Sequence, residues 1–231
     1  MLRKRFGKPE IAPDIAQLEA KQDVIGLLKA WDFKDKDLML PAMNALQRIG
    51  KRAIDPLVQA LGNDDERIQK HSAQMLGHLK DKRAIPHLVA LLRVQGYDDA
   101  DGFSLKWHAV RSLDELEWQP DKQESGLQYW IIKKGWEQCV PYGARAVPPL
   151  IEACGGQADQ REAVVNVLSK IGKPAVEPLI AALNHQNQRI QKYTYWIYTS
   201  DEQLALNLKN KRIQEAAAKA LGRIRDNRAV D

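Results

Sequence analysis

Only two cysteines, Cys139 and Cys154, occur in the 231 residues, and they form no CxxC pair. That excludes a disulfide framework and the commonest thiol-redox and zinc motifs, and it fits a reducing compartment. No uninterrupted apolar run approaches a membrane span, and no apolar stretch of signal-peptide length follows the basic N-terminus MLRKRFGKPE. The expectation is a cytoplasmic chain with no membrane partner. Glycine-rich phosphate loops, GxSxG and recognised Cys–His patterns are missing as well. Aromatic residues are scarce at 6%, which gives weight to the places where they gather. The net charge is +5, and seven cations against two carboxylates between Lys209 and Arg228 account for it. A basic end of this kind suits an acidic partner, but a solvated helix face has the same composition.

What the sequence does contain is repetition. RAIDPLVQAL (52–61), RAIPHLVALL (83–92), RAVPPLIEAC (145–154) and PAVEPLIAAL (174–183) carry a central leucine at Leu57, Leu88, Leu150 and Leu179. Leu27 in DVIGLLKAW extends the series backwards, and the spacings of 30, 31, 62 and 29 residues give a period of about thirty. Each phrase predicts a short first helix, with Pro56, Pro149 and Pro178 in the first turn, where a missing N–H costs little. The second helix of each pair is predicted at 40–50, 68–81, 105–116, 161–172 and 213–226. Ile68, Ala73, Leu76 and Leu79, with Ser72 and Met75 beside them, make a wide apolar arc that needs neighbours on two sides. A two-helix unit cannot cover its own apolar stripe, so such units must stack.

The phrases IGKRAIDPLVQAL, LGHLKDKRAIPHLVALL and IGKPAVEPLIAAL resemble the HEAT-repeat superfamily, in its short bacterial and archaeal type named after phycobilisome lyases. The resemblance runs from about Asp23 to Asp231. It implies an all-α fold, a right-handed α–α superhelix of about six helix pairs, with one extra helix near 122–134. Residues 1–22 are expected as a basic arm and lead-in, and 23–231 as a single repeat array. Within that array, 117–143 is an irregular aromatic linker containing Trp118, Pro120, Tyr129, Trp136 and Gly143, similar to one found in this type of protein. The array is expected to close on a shortened repeat, 201–225, in which SDEQLALNLKN is a first helix and a second begins at Lys211. The preceding helix, RIQKYTYWIYTS, is expected to bury Tyr195, Ile197 and Tyr198 and to present Tyr193 and Trp196.

A chemical reaction finds little support. Deoxyhypusine hydroxylase is built of similar repeats and holds iron through His-Glu dipeptides, but the histidines here read His71-Ser, His78-Leu, His87-Leu, His108-Ala and His185-Gln. That activity is therefore disfavoured, and no metal or cofactor is expected. His71 and His78, seven residues apart, read as a solvated pair. YDDADG (97–102) resembles part of a calcium loop, but Tyr97 stands at its first ligand position and His108 at its twelfth.

The family has no single activity, so function is sought in the surface formed by the second helices. Aligning them predicts a polar ladder, Asn44, Gln74, Arg111, Asn166, Trp196 and Lys219, with Trp107 and Tyr193 adding aromatic area. One turn further on come Arg48, His78, Glu115, Lys170, Ser200 and Arg223. In proteins of this kind these helices line the concave side. The expectation is a non-enzymatic scaffold that holds another protein, as a peptide or a helix, in that groove. One alternative implied by the resemblance is a phycobilin-lyase-like factor that handles a chromophore and its acceptor. The other is nucleic-acid binding through Arg212, Lys219 and Arg223 on the last helix.

Overall fold

The computed structural model describes residues 12–31, 36–93, 104–155, 158–184 and 200–228. Among them there are helices and turns but no strand. The chain divides into two compact units, Met1–Gln119 and Pro120–Asp231.

The first unit contains α1 (Ile15–Ala20), α2 (Val24–Trp31), α3 (Met39–Ile49), α4 (Ile54–Ala60), α5 (Glu66–His78), α6 (Ile85–Leu91) and α7 (Leu105–Glu115). Short polar residues begin several of them. Asp14 accepts from the Gln17 N–H at 3.0 Å, Asp65 from that of Arg67 at 3.0 Å and Ser104 from that of Trp107 at 3.3 Å. Each bond satisfies a donor that the helix cannot pair internally. The stretch expected as a lead-in includes α1, which packs on α2 and α3.

The second unit contains α8 (Glu124–Ile132), a 3-10 segment (Glu137–Ala146), α9 (Val147–Ala153), α10 (Ala158–Ile171), α11 (Val176–Asn184) and α12 (Ser200–Arg228). The extra helix expected near 122–134 is α8. It is held down by the aromatic linker: the Tyr142 hydroxyl donates to the Asp121 carbonyl at 2.7 Å, and Arg145 donates to the Lys122 carbonyl at 2.9 Å. A Cβ at Gly126 would stand 1.9 Å from that same Asp121 carbonyl, so only glycine allows the approach. The linker aromatics Tyr129 and Tyr142 are therefore buried structural residues.

The repeat leucines behave as their spacing predicts. Leu27, Leu57, Leu88, Leu150 and Leu179 are all 0% exposed. Each such side chain contributes roughly 1.5–3 kcal/mol by leaving water. The turn into the first helix of a pair is built in two ways. Gly50, Gly143 and Gly172 adopt φ of 61°, 57° and 72° with ψ near −130°, a region that an L side chain resists. Before α6 the same job falls to Lys80, at φ 52°, followed by Asp81, whose carboxylate caps the Arg83 N–H at 3.0 Å and grips its guanidinium at 2.8 Å.

One expectation fails in the second unit. The predicted last pair, a first helix over SDEQLALNLKN and a second from Lys211, is a single 29-residue helix, Ser200–Arg228. The physical reason is local. LKNKRIQ between the two halves contains no proline or glycine to stop the helix, and Leu, Lys, Arg and Gln all favour continuing it. The second half of α12 packs on α10 and α11, burying Ala216, Ala217, Ala220 and Ile224 in one cluster with Val164, Leu168 and Leu179.

The candidate site: polar rungs between second helices

In the first unit, α5 and α7 run side by side and parallel. A Cβ at Gly77 would lie 2.7 Å from the Ser112 Cβ, and the Ser112 hydroxyl donates to the Ala73 carbonyl at 2.8 Å. This close approach sets a register in which His78 meets Glu115, Nδ1 to Oε2 at 2.8 Å. One turn back along both helices, the same register places Gln74 opposite Arg111. Two expected ladder residues are thus brought to one rung. Trp107, one turn before Arg111 on α7, joins them, with the guanidinium over its ring at 5.7 Å from the centroid.

Behind this rung lies an arrangement that the sequence did not reveal. Trp31 at the end of α2 stacks on His71 with ring centroids 4.6 Å apart and planes at 15°. Trp107 meets His108 edge-on at 5.2 Å. His71 is thus packed against an indole and His78 is bonded to Glu115, which corrects the expectation of a solvated pair. Sequence periodicity places His71 on a polar face but carries no information about Trp31, forty residues away, so the stack was not foreseeable. The buried Nδ1 of His108 has no hydrogen-bond partner. Desolvation, helped by the positive charges of Lys70, His71 and Arg111, lowers the His108 pKa to about 4, so the ring is neutral at physiological pH.

In the second unit, α10 and α12 form the comparable pair. Lys219 and Arg223 both reach Glu162, the latter at 2.6 Å, and Arg223 also donates to the Asn166 side chain. These bonds hold the Glu162 carboxyl at about 2, well below the usual carboxylate range. Asn166 therefore lies opposite Arg223, and Glu162 opposite Lys219. This register is one turn away from the expected alignment of Asn166 with Lys219. The sequence also placed the helix at 189–199 next to α10. That segment, with Tyr193 and Trp196, lies outside the described residues, and α12, two periods on, contacts α10 directly.

The other ladder positions are scattered. Asn44 is exposed on α3, and Arg212 is exposed on α12. Arg48 is taken by Glu19 of α1 in a two-pronged pair at 2.6 Å, and Lys170 by Glu137 at 2.6 Å. The acidic partners Glu19, Glu137 and Glu162 were missed because each lies at least 29 residues from its cation in sequence.

Arg111 is the exception among the cations of the two expected rows. Its ion pair with Glu115 is 3.9 Å long and uses only Nε, and its side chain is 52% exposed. Among the described residues it makes no hydrogen bond within the protein. Among the same residues, no group of three or more His, Cys, Asp or Glu could hold a metal ion, and no helix is long and apolar enough to cross a membrane.

Comparison with known proteins bears on the fold. The family described as HEAT repeats matches residues 26–114, from α2 to α7. The PBS lyase HEAT-like repeat matches residues 160–185 and 213–231, covering α10 with α11 and then the second half of α12. No curated protein matches the chain. A solved structure of an engineered protein aligns over 93% of this chain and 87% of its own at 17% identity, with a TM-score of 0.26. That score is too low to carry any argument. With paired helices recurring about every thirty residues and repeat matches over more than half of its length, the chain belongs to the HEAT-repeat proteins.

Proposed function

We propose that the protein is a non-enzymatic scaffold that captures another protein on the face made by its second helices, with the Gln74–Arg111 rung and Trp107 at the centre of the contact. HEAT repeats generally mediate protein–protein interaction, and stacked repeats present long continuous faces suited to it. The observation that carries this placement is the state of Arg111. It is the one described cation of the two expected rows that no carboxylate of the described residues binds closely, and it lies over a half-buried indole. Tryptophan and arginine are the residue types most enriched where single side chains dominate binding. Both cysteines are buried as free thiols, which supports placing this activity in a reducing cytoplasm.

Nucleic-acid binding draws less support. Two of its three expected contacts, Lys219 and Arg223, already have Glu162 as a partner. A chromophore-handling role has no specific observation in its favour.

The test is capture from cell extract on the immobilised chain. Trp107→Ala combined with Arg111→Ala should lose the protein that the wild type retains, while Arg48→Ala should keep it. Far-ultraviolet circular dichroism should be the same for all three. Capture unchanged in the double variant would refute this placement.

A further inference from the structure

We infer that the Gln74–Trp107–Arg111 rung is a receptor for a carboxylate: the partner segment carries a glutamate or aspartate beside an apolar side chain. This rests on the protein-binding reading and adds the chemistry of what is bound.

The geometry of the guanidinium is the starting point. Glu115 approaches only Nε, at 3.9 Å, and is itself drawn to His78 at 2.8 Å on its other oxygen. Among the described residues no acceptor binds the two terminal nitrogens, which form the edge that a carboxylate engages with two parallel bonds. Stacking on Trp107 restrains the long arginine side chain in advance, which reduces the ordering cost paid on binding. The Gln74 amide, one helix across, is half-buried, and its described contact is a long one of 3.5 Å to His78. It can donate to the same anion.

Charge complementarity favours an acid over a base. Arg111 adds positive charge between α5 and α7 close enough to act on His108, whereas Lys70 on α5 is already paired with Glu66 at 2.9 Å. A cationic segment would meet Arg111 directly and be repelled. An apolar neighbour in the partner suits Trp107, which remains partly exposed beside the arginine. The other cations of the two expected rows are less suited to this, because Glu19, Glu137 and Glu162 already occupy Arg48, Lys170, Lys219 and Arg223.

The probe is a phage-displayed library of random dodecapeptides selected on the full chain, with selected peptides resynthesised and titrated by fluorescence anisotropy. The expected result is enrichment of glutamate or aspartate next to an apolar residue. Replacing that acid by its amide should weaken binding about tenfold or more, the range of a charge-assisted pair. Arg111→Gln should bind the acid and amide peptides equally weakly, Arg111→Lys should recover part of the difference, and Arg48→Gln should match the wild type. Affinity should fall as salt rises. Peptides without an acid, or acid peptides that bind Arg111→Gln undiminished, would overturn the carboxylate proposal and leave the protein-binding reading standing. Selection of no peptide overturns the carboxylate proposal as well. Only together with failure of capture from extract would it also remove the reading on which the proposal rests.

Discussion

The α5–α7 pair and the α10–α12 pair carry similar polar residues on parallel neighbouring helices, yet they end in opposite states. Between α10 and α12 a single carboxylate, Glu162, closes the rung by taking both Lys219 and Arg223. Between α5 and α7 the carboxylate, Glu115, is pulled one turn along by His78, and Arg111 is left over Trp107. The lesson is that a ladder of cations says little about where a partner binds. What matters is which cation the fold has already neutralised. The difference turns on one register: an offset of 37 residues pairs His78 with Glu115, whereas an offset of 57 pairs Glu162 with Lys219.

The most direct way to break the comparison is to force α5 away from α7. Gly77→Ala puts a methyl 2.7–2.8 Å from Ser112 backbone and side-chain atoms, so the helices must separate. The expected cost is about 2 kcal/mol of stability, the middle of the range for overpacking. A lowered urea midpoint would show it, together with loss of acid-peptide binding at the displaced rung. An unchanged midpoint would mean that the two helices are not held in the register described.

A smaller effect concerns pH and separates the two regions by sign of charge. The folded pKa of His108, about 4, lies below its unfolded value of about 6.5, so the fold favours the neutral ring. The stability this gives is fully present above pH 6.5 and is lost as pH falls toward 4. Urea midpoints of the wild type should therefore decline across that window. His108→Phe, which has no proton to take up, should flatten the decline. The Glu162 cluster titrates lower: its carboxyl, held at about 2, loses its stabilising charge only as pH falls from the ordinary range of about 4 toward 2. A decline between 6.5 and 4 that is equal in wild type and His108→Phe would assign the effect to another group.

The smallest change in stability is expected from Glu162→Gln, because the ion pairs it removes are solvent-exposed. Its effect should appear in binding instead. Lys219 and Arg223 would be released, and the variant should elute from heparin at higher salt than the wild type. Equal elution would mean that Glu162 does not mask them, and the contrast between the two rungs would lose its basis.

Much of the architecture was legible in the amino-acid order. The thirty-residue spacing of Leu27, Leu57 and Leu88 determined which side chains are buried, since a two-helix repeat has one apolar stripe and must hide it. The turns at Gly50, Gly143 and Gly172, where a positive φ suits glycine, were not read from the sequence. The division of the last repeat was misread. Leu208 continues the leucine spacing, but periodicity does not stop a helix, and without a glycine or proline the backbone runs on through Asn210.

The site was legible only as a list of polar positions. Helical periodicity tells which residues share a face, because that is a property of one helix. It does not tell that Trp31 stacks on His71, that Glu19 reaches Arg48, or that Glu162 holds Lys219 and Arg223 while Arg111 has only a 3.9 Å pair with Glu115 among the described residues. Those pairings depend on how two helices slide past each other, and Gly77 against Ser112 sets that slide for α5 and α7. The sequence by itself determined an all-helical repeat and its buried leucines. Only the tertiary structure decided which cations are neutralised by a carboxylate, because neutralisation acts over a few ångströms in space between residues tens of positions apart in the chain.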